Sequence, residues 1–346
     1  MTDELRSIRW TGTSVRIIDQ TSLPHALSYL DIDDVDSLVD AIARLAVRGA
    51  PALGAAGALG VVVAMRQGRR EGWSDDRLAG EVARLRSARP TAANLAWAVD
   101  RVAPLIGEGE AETLAAALQI VADDEAANRA IGRRGADWIL QHVTHRPVRV
   151  LTHCNAGLLA TTAWGSALGI VRELRDRDAL GLVYVDETRP LLQGARLTAW
   201  ELGQEAIAHL VQVDAAAAST ILSGKVDVAI IGADRIAANG DTANKIGSLG
   251  VALACHDAGI PFVVAAPEST LDAGTATGEG IPIEMRPEAE VVTWLGVQTA
   301  PASSGAHNPA FDVTPARLVS VLVTEARTVE PGKGERPADA VTAGAL

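Results

Sequence analysis

The stretch VDVAIIGADRIAANGDTANKIGSLG, residues 226–250, carries the strongest structural signal in the chain. Its first six residues form an apolar, β-branched run with the length of a buried strand. Asp234 follows shortly after this run. The polar loop beyond it can cap a helix, which we predict over residues 243–258 with Asn244 and Lys245 in its first turn. Ligands of open α/β sheets bind outside the carboxyl ends of the strands, so this segment places an acid, an amide and a cation at the expected binding edge.

Composition narrows the classes of protein that the chain can be. Its 346 residues allow two domains of ordinary size, and 48% of them are apolar while only 3% are aromatic. A core of small aliphatic residues and glycine favours close packing of helices on a sheet. The net charge of −12 argues against nonspecific nucleic-acid binding, which needs a basic surface.

Cysteine usage and the N-terminus favour a cytoplasmic protein. Cys154 and Cys255 make neither a disulfide framework nor a zinc-binding spacing, as expected in a thiol-reducing compartment. Residues 1–9 are charged and lack the apolar segment of a signal peptide. The longest apolar run, residues 55–65, is too short and too rich in glycine to span a bilayer, so we expect no membrane association.

The periodicity of apolar residues changes near residue 144, where we place a domain boundary. Residues 1–143 show up to three short strands followed by five helical patterns. Residues 144–328 alternate strand and helix patterns, which predicts βαβ units and a parallel sheet. Residues 329–346 lack periodicity and are rich in Gly, Pro and Ala, which indicates a disordered tail.

The second domain is predicted to contain six strands, at residues 148–152, 181–185, 210–213, 226–231, 262–265 and 291–294. Its helices are predicted at residues 157–169, 194–204, 243–258 and, closing the domain, 314–325. The predicted fold class is therefore α/β, with a small, mainly helical N-terminal domain followed by a parallel-sheet domain.

Polar residues follow three of these predicted strands, at residues 152–155, 186–189 and 233–235. The carboxyl ends of parallel strands lie at one edge of a sheet, which is the binding edge. Loops are polar in general, so one such strand end would be weak support for a site. Three ends that combine a thiol, carboxylates and arginines favour an active site.

The two cysteines have different predicted roles. Cys154 is predicted to lie between a strand and a helix N-terminus, whose positive end lowers the pKa of a thiol. A small buried hydrophobe is the alternative, and it is the expected role of Cys255 in the middle of an apolar helix. His153 is expected to be structural, because adjacent strand residues point to opposite faces.

A second informative stretch is Arg48-Gly49-Ala50-Pro51. Pro51 suits the first position of a helix, and backbone N–H groups beside Arg48 would then form an anion site. An ordinary helix start with a surface arginine explains the same residues equally well.

The chain contains no glycine-rich dinucleotide fingerprint, no Walker-type loop and no metal-ligand spacing, so we expect no cofactor and no metal. An acid, a thiol and an anion clamp suit proton or hydride transfer on a small phosphorylated molecule.

Taken together, six motifs give the chain a family resemblance. They are RGAPALG (48–54), ARPTAANL (88–95), LTHCNAGLLAT (151–161), DETRPLLQGARLTAWEL (186–202), GADRIAANGDTANKIGSLG (232–250) and NPAFDVTP (308–315). The chain resembles the methylthioribose-1-phosphate isomerase family of methionine salvage over nearly its whole length, up to about residue 329. The wider group is also similar to the regulatory subunits of the translation-initiation guanine-exchange factor and to ribose-1,5-bisphosphate isomerase.

The resemblance implies a Rossmann-like, doubly wound second domain, a homodimer, no cofactor and a sugar-phosphate substrate. It implies that Asp234 is the proton donor and that Cys154 is the catalytic thiol. The residues that it implies for substrate binding are Arg48, Gly49, Ala50, Arg89, Gln193, Asn244 and Lys245. An aspartate that acts as an acid near neutral pH needs a raised pKa, which a closed apolar pocket would provide for Asp234.

Two alternatives to this substrate and activity stay open. The chain could isomerise another pentose 1-phosphate, such as 5-deoxyribose 1-phosphate, or ribose 1,5-bisphosphate. It could also be a noncatalytic regulatory subunit of the same fold. The presence of both Cys154 and Asp234 argues against a regulatory subunit, because a scaffold does not need that pair.

Overall fold

Three short strands, the most that the sequence predicted here, form an antiparallel sheet near the N-terminus. Its strands are β1 (Ile8–Trp10), β2 (Val15–Ile18) and β3 (Tyr29–Ile32). In this computed structural model, which describes residues 5–89, 93–294 and 296–339, the side chains of Ile8 and Ile17 are paired across β1 and β2 and are fully buried. One face of this small sheet therefore belongs to the hydrophobic core of the helices that follow.

Five helices follow, and each of the five predicted helical patterns is confirmed. They are α1 (Val35–Ala43), α2 (Ala50–Glu71), α3 (Asp75–Arg86), α4 (Ala93–Val102) and α5 (Glu110–His142), with a 3₁₀ segment at Ala103–Glu108 before the last. Two of them start at side-chain caps, because Asp34 accepts the N–H of Ser37 and Ser74 accepts the N–H of Arg77. Among the described helices, α2 alone is long and apolar enough to cross a membrane, yet 72% of its most apolar stretch is buried inside the protein. Helix α2 therefore packs as a core helix of the protein.

The remaining helices and strands follow in chain order. The helices are α6 (Ala167–Asp176), α7 (Ala199–Gln204), α8 (Ala217–Leu222), α9 (Ser248–Ala258) and α10 (Ala289–Val292), and a π-helical turn at Gly194–Thr198 precedes α7. The strands are β4 (Val148–Thr152), β5 (Leu180–Asp186), β6 (His209–Gln212), β7 (Val228–Ile231), β8 (Arg235–Ala237), β9 (Thr242–Lys245), β10 (Phe262–Ala265), β11 (Leu271–Asp272), β12 (Thr293–Trp294), β13 (Val297–Gln298), β14 (Phe311–Thr314), β15 (Val321–Val323) and β16 (Thr328–Val329).

Seven of these strands form the main sheet, in the order β16-β15-β10-β7-β4-β5-β6. All neighbours are parallel except β15 and β16. Numbered along the chain, the six parallel strands read third, second, first, fourth, fifth and sixth from the β6 edge, which is the Rossmann order. The strand order reverses between β4 and β7, and ligands of such sheets bind at this switch point.

A second sheet has the order β11-β8-β9-β14, and β12 and β13 form a separate hairpin. The β9–β14 pairing sets Asn244 opposite Asp312 and Lys245 opposite Phe311. The chain divides into two compact units, one made of the residues up to Arg129 with Ala156–Leu168, the other of Ala130–Asn155 with Gly169 onward. The predicted boundary at residue 144 follows the end of α5, whereas these units divide within that helix.

The helix predicted over residues 243–258 is wrong in its first turn. Residues Thr242–Lys245 form strand β9, and α9 begins only at Ser248, after Gly247 with φ of +108°. The strand partners of β9 are β8 and β14, and β14 lies more than 60 residues along the chain, so local periodicity did not reveal the pairing. Asn244 and Lys245 therefore lie on a strand.

The helix predicted over residues 157–169 is also wrong. Only a 3₁₀ turn, Leu158–Ala160, follows β4, and α6 begins at Ala167. Gly165 has φ of +86°, and a Cβ atom there would lie 2.4 Å from Cα of Gly157. The chain thus folds back on itself at two glycines, and an α-helix cannot run through such a turn.

Three predictions near the C-terminus differ from the structure. Residues 291–294 contribute to α10 and the β12–β13 hairpin instead of the main sheet, and residues 314–325 form β15 and a 3₁₀ turn instead of a helix. The described part of the predicted tail, residues 329–339, includes Val329 of β16, which pairs with β15; residues 340–346 lie outside the described residues. These strands are only two or three residues long, and β15 pairs with the distant β10, so their apolar patterns are too brief to identify alone.

We predict that α5 tolerates no side chain where it meets α6. A Cβ atom on Gly132 of α5 would lie 2.9 Å from the carbonyl oxygen of Gly169, whereas one on Gly80 of the exposed helix α3 would meet nothing within 4 Å. Gly132→Ala should lower the free energy of unfolding by about 1–3 kcal/mol through overpacking. Gly80→Ala, the matched control, should raise it by roughly 0.5–1 kcal/mol. Urea denaturation compares the two, and equal gains in both variants would contradict close contact at Gly132.

Candidate active site

The predicted catalytic residues follow the two strands that flank the switch point. Cys154 comes two residues after the end of β4, and Asp234 comes three residues after the end of β7. Because β4 and β7 are adjacent and parallel, their carboxyl ends lie at the same edge of the sheet. The structure therefore places both residues at the position where this topology binds ligands.

Cys154 has an unusual backbone conformation. It is half-buried, and its φ of +63° lies in the left-handed region that most residues avoid. Its N–H donates to Oγ1 of Thr188 at 2.8 Å, and its carbonyl oxygen accepts from Oγ1 of Thr198 at 2.6 Å. The helix N-terminus predicted beside this thiol is absent from the described chain at that point, because the next α-helix begins only at Ala167. Hydrogen bonds with two threonines, one an acceptor and one a donor, hold Cys154 instead.

Asp234 lies in the short turn between β7 and β8. Its backbone N–H donates to the carbonyl oxygen of Ala243 at 2.9 Å, so the turn is held against strand β9. The residue is exposed in the structure, rather than enclosed in an apolar pocket as the sequence suggested. Its side chain is therefore accessible to a small-molecule ligand from solvent.

Gln193 lies immediately before the π-helical turn. The residue is only 6% exposed. Within residues 5–89, 93–294 and 296–339, no group hydrogen-bonds its buried Oε1 atom. An unsatisfied buried acceptor costs about 1–3 kcal/mol, and a ligand hydroxyl could satisfy it. The turn that presents Gln193 requires Gly194, because a Cβ atom there would lie 1.7 Å from the carbonyl oxygen of Asp186.

Asn244 and Lys245 lie on β9, with their side chains partnered by different groups. Asn244 is buried, and its Nδ2 donates to Oγ of Ser248 at 2.8 Å. Lys245 is half-buried, and its Nζ lies 4.9 Å from the ring centre of Phe311, a cation–π contact. Lys245 is therefore the cation that this strand offers to an anionic ligand.

The start of helix α9 already has a carboxylate cap. Asp312 accepts the N–H groups of Gly247 at 2.8 Å and Leu249 at 3.2 Å. Burial raises the pKa of Asp312 despite these two hydrogen bonds. A side chain of β14 therefore accepts N–H groups at the start of this helix, where the sequence predicted Asn244 and Lys245.

The other predicted binding residues lie in the first unit. Arg48 is largely buried, Gly49 is the N-cap of α2 with φ of +94°, and Ala50 is the first helical residue, so Pro51 is the second. The N-cap residue Gly49 has no side chain with which to cap this end of the 22-residue helix, and helix N-termini are favourable positions for anions. Gly49 must be glycine, because a Cβ atom there would lie 2.4 Å from the carbonyl oxygen of Ala160.

Arg89 follows helix α3 and is half-buried. The next three residues of its motif, residues 90–92, lie outside the described residues. Arg89 and the N-terminal end of α2 both belong to the first unit. This unit therefore contains two of the predicted anion-binding arginines and the N-terminus of α2.

The sequence predicted only a structural role for His153, and the structure shows that both of its ring nitrogens have buried hydrogen-bond partners. It is buried, its Nδ1 lies 2.9 Å from Oδ2 of Asp186, and its Nε2 lies 2.8 Å from the carbonyl oxygen of Ile246. A carboxylate and a carbonyl oxygen only accept hydrogen bonds, so both ring nitrogens must carry a proton. Burial alone would lower the pKa of His153, but the hydrogen bond and charge of Asp186, with the Ile246 carbonyl, raise it. This geometry therefore requires an imidazolium ion at His153, the residue directly before Cys154.

This pair belongs to a larger cluster of His153, Asp186 and Asp214, whose ligand atoms lie within 4.8 Å of one another. The spacing would suit a metal ion, but the side chains are committed elsewhere. Both nitrogens of His153 are hydrogen-bonded, and the two oxygens of Asp214 accept the N–H groups of Thr188 and Arg189, each at 2.7 Å. These donors and acceptors make the cluster a hydrogen-bonded network, which sequence spacing could not reveal because its members come from three strand ends.

We predict that His153 contributes stability that declines with rising pH. A histidine whose pKa is raised by folding stabilises the protein fully below the ordinary value of about 6.5, and this contribution is lost as the pH rises through the raised pKa. The difference in unfolding free energy between the wild type and His153→Gln should therefore narrow from pH 6 to pH 9 in urea titrations. His256→Gln, at an exposed position of α9, is the control. A difference that stays constant with pH would contradict an imidazolium at His153.

The six-strand order and the residues at its switch point define a Rossmann-like α/β protein with a candidate active site. The chain belongs to the initiation factor 2 subunit family, whose family model matches residues 46–331. The fold and the family expected from the motifs are both confirmed.

Curated relatives carry more specific names. A protein of Nocardia farcinica, described as a probable bifunctional methylthioribose-1-phosphate isomerase/methylthioribulose-1-phosphate dehydratase, is 51% identical over 92% of this chain. The chain spans only 58% of that relative's length. The methylthioribose-1-phosphate isomerase of Thioalkalivibrio sulfidiphilus is 47% identical, and the match covers 95% of this chain and 94% of the relative.

Two solved structures have the same architecture over nearly their full length. The 5-methylthioribose 1-phosphate isomerase of Pyrococcus horikoshii OT3 is 37% identical with a TM-score of 0.86, and covers 95% of this chain and 94% of its own. A structure described as translation initiation factor eIF-2B, subunit delta, from A. fulgidus is 40% identical with a TM-score of 0.83, and covers 95% of this chain and 96% of its own.

Proposed function

We propose that the chain is an aldose–ketose isomerase that converts 5-methylthioribose 1-phosphate to 5-methylthioribulose 1-phosphate in methionine salvage. The observation that carries this proposal is the placement of Cys154 and Asp234 after the two strands that flank the switch point. A thiol and a carboxyl group at that position suit a reaction that moves hydrogen between neighbouring carbons. Because Asp234 is exposed, the bound substrate would have to supply the water-excluding surroundings that the acid role requires. The names of relatives at 47% and 51% identity support this substrate.

The chemistry assigns a role to each of the two residues. The substrate is phosphorylated on its anomeric carbon, so its ring cannot open to a free aldehyde in the ordinary way. Asp234 protonates the ring oxygen as the bond between that oxygen and carbon 1 breaks. Hydrogen then passes from carbon 2 to carbon 1, the hydroxyl on carbon 2 loses its proton, and Cys154 stabilises the developing charge. Carbon 2 is oxidised and carbon 1 is reduced within one molecule, so the reaction balances without an external oxidant.

Substrate binding is assigned to the remaining predicted residues. Those assigned are Arg48, Gly49, Ala50, Arg89, Gln193, Asn244 and Lys245. Arg48 beside the N-terminus of α2, and separately Lys245 on β9, are each groups that suit a phosphate. The unsatisfied Oε1 of Gln193 suits a sugar hydroxyl.

Two other functions have specific support. A different pentose phosphate, either 5-deoxyribose 1-phosphate or ribose 1,5-bisphosphate, would need the same acid and thiol, so Cys154 and Asp234 do not by themselves select one sugar. A noncatalytic regulatory role is favoured by the family's description and by the name of the 40% identical archaeal structure. The position of both Cys154 and Asp234 at the switch point favours catalysis, because a regulatory scaffold requires neither.

We predict that the purified protein isomerises methylthioribose 1-phosphate with a higher kcat/KM than 5-deoxyribose 1-phosphate or ribose 1,5-bisphosphate. Asp234→Asn keeps the shape of the acid but removes its proton, so kcat should fall by roughly 10²–10⁴-fold, the usual contribution of a general acid. Affinity for the substrate, measured by calorimetry, should change little. Steady-state rates on the three sugars provide the measurement.

In the same assay, Cys154→Ser tests the catalytic thiol and Cys255→Ser is its matched control. Cys154→Ser should abolish most of the activity, because a serine hydroxyl is a far weaker acid than a thiol. Cys255→Ser should be nearly as active as the wild type, since burial in the apolar interior raises the pKa of Cys255 to about 12 and keeps it protonated. Binding of the sugars without turnover by the wild type would favour the regulatory role, and normal turnover by Asp234→Asn would reject the assignment of the acid.

We also propose a homodimer located in the cytosol. Strand β6 is the edge of the main sheet, and its region exposes four apolar side chains, at Leu210, Val211, Val213 and Leu222. An edge strand with unpaired backbone groups and an apolar surface is suited to association. The acidic, cysteine-poor composition suits the cytosol.

Light scattering at micromolar concentration should give twice the 36.0 kDa of one chain. Val211→Asp should shift this mass toward that of one chain, because a charge on the edge strand disfavours a buried interface. Leu118→Asp, at an exposed position of α5, should leave the mass unchanged. A single-chain mass for the wild type would reject the dimer, and an unaltered mass for Val211→Asp would exclude β6 from the interface.

A further inference from the structure

The loop after β5 contains a threonine in a conformation that threonine rarely adopts. Thr188 is fully buried and has φ of +66°. For a β-branched residue this region of backbone space is a genuine outlier, and residues held in such regions cost about 1–3 kcal/mol. Strain of this kind persists only where surrounding groups enforce it, and it is concentrated at functional sites.

Asp214 enforces this conformation from the end of the neighbouring strand β6. Its Oδ1 accepts the N–H of Thr188 and its Oδ2 accepts the N–H of Arg189, each at 2.7 Å. A carboxylate that accepts two successive backbone N–H groups forms short, charge-assisted hydrogen bonds. Both peptide groups of this turn are therefore held by one side chain.

The hydroxyl of Thr188 connects this turn to the backbone of Cys154 by a hydrogen bond. It donates to the carbonyl oxygen of Asp186 at 3.0 Å and accepts the N–H of Cys154 at 2.8 Å. On the other side, Oγ1 of Thr198 in the π-helical turn donates to the carbonyl oxygen of Cys154 at 2.6 Å. We call Thr188 and Thr198 the threonine clamp, because their hydroxyls hold the two backbone polar groups of Cys154.

We propose that Thr188, fixed by Asp214, is a positioning residue that holds Cys154 in its left-handed conformation for the hydrogen transfer. The backbone angle of Cys154 determines the direction in which its Cα–Cβ bond leaves the chain, and hence where the thiol lies relative to the reacting carbons. Misplacement of a catalytic group by about 1 Å can reduce the rate by roughly 10²-fold. The inference rests on the proposed isomerase function, and it adds two residues that the motifs did not assign.

A purely structural role for these hydroxyls would predict a different outcome. Buried threonine hydroxyls commonly stabilise a fold through backbone hydrogen bonds, and their loss then lowers stability without a specific effect on kcat. Thr113 is such a residue, since it is fully buried and donates to the carbonyl oxygens of Leu105 and Gly109 in the first unit. It supplies the matched control for the loss of one buried hydroxyl.

The test compares Thr188→Val, which keeps the β-branched shape but removes both hydrogen bonds, with Thr188→Ser, which keeps the hydroxyl. Thr188→Val should lower kcat by about 10²-fold with KM nearly unchanged, and Thr188→Ser should restore most of that loss. Thr113→Val should lower the melting temperature but keep kcat. Near-normal kcat in Thr188→Val, or failure of Thr188→Ser to restore it, would overturn the proposal.

Two further measurements keep the result decisive. Asp214→Asn retains only one acceptor oxygen for two N–H groups, so it should also lower kcat at nearly constant KM; normal kcat in this variant would overturn the proposal even if Thr188→Val fails to fold. Iodoacetamide should alkylate Cys154 faster in Thr188→Val than in Thr188→Ser, both measured in a Cys255→Ser background, because the released loop exposes the thiol. If the wild type turns over none of the three sugars, the proposed function fails. The alkylation rates alone then test whether Thr188 holds Cys154 in position, and equal rates in Thr188→Val and Thr188→Ser would overturn that.

Discussion

The ion pair between His153 and Asp186 is the interaction on which the candidate site depends. A buried imidazolium that donates to a carboxylate and to a carbonyl oxygen joins three segments, the ends of β4 and β5 and the residues before α9. Removing one partner of such a pair leaves an uncompensated charge in the interior, which costs several kcal/mol. The pair therefore holds the loops at the binding edge in one arrangement. Asp186 extends the network through its second oxygen, which accepts from Nε2 of Gln212 on β6.

Two glycines make this arrangement sterically possible. A Cβ atom on Gly247 would lie 2.6 Å from Cε1 of His153, and one on Gly194 would lie 1.7 Å from the carbonyl oxygen of Asp186. The backbone thus approaches both members of the ion pair more closely than any side chain would allow. The same close approach brings the π-helical turn, and Gln193 before it, against the end of β5. From composition alone, the many glycines of this chain indicate close packing of helices on a sheet. At Gly194 and Gly247, however, glycine is required by the geometry of the candidate site.

The Rossmann-type strand order explains how residues far apart in sequence come to one edge. Six parallel strands with a reversal between β4 and β7 leave a crevice at their carboxyl ends, and the loops after those two strands carry Cys154 and Asp234. The second sheet then places Lys245 and Asn244 on strand β9, which shares a pairing with β14 from near the end of the chain. The backbone of these two residues is paired with Phe311 and Asp312 of β14, whereas β8 pairs with the preceding residues, Thr242 and Ala243.

The sequence by itself determined the α/β class, the five N-terminal helices and the position of Cys154 and Asp234 after strands. Long apolar periodicity and strand-then-polar patterns are local signals, so a single segment contains them in full. The tertiary structure alone decided the strand identity of residues 242–245, the strands near the C-terminus, and the double hydrogen bonding of His153. Three of these depend on a partner more than 30 residues away in the chain: Asp186 for His153, β14 for β9 and β10 for β15. Local sequence cannot encode such pairings separately from the fold, because the free energy that selects them arises only when the distant segments meet.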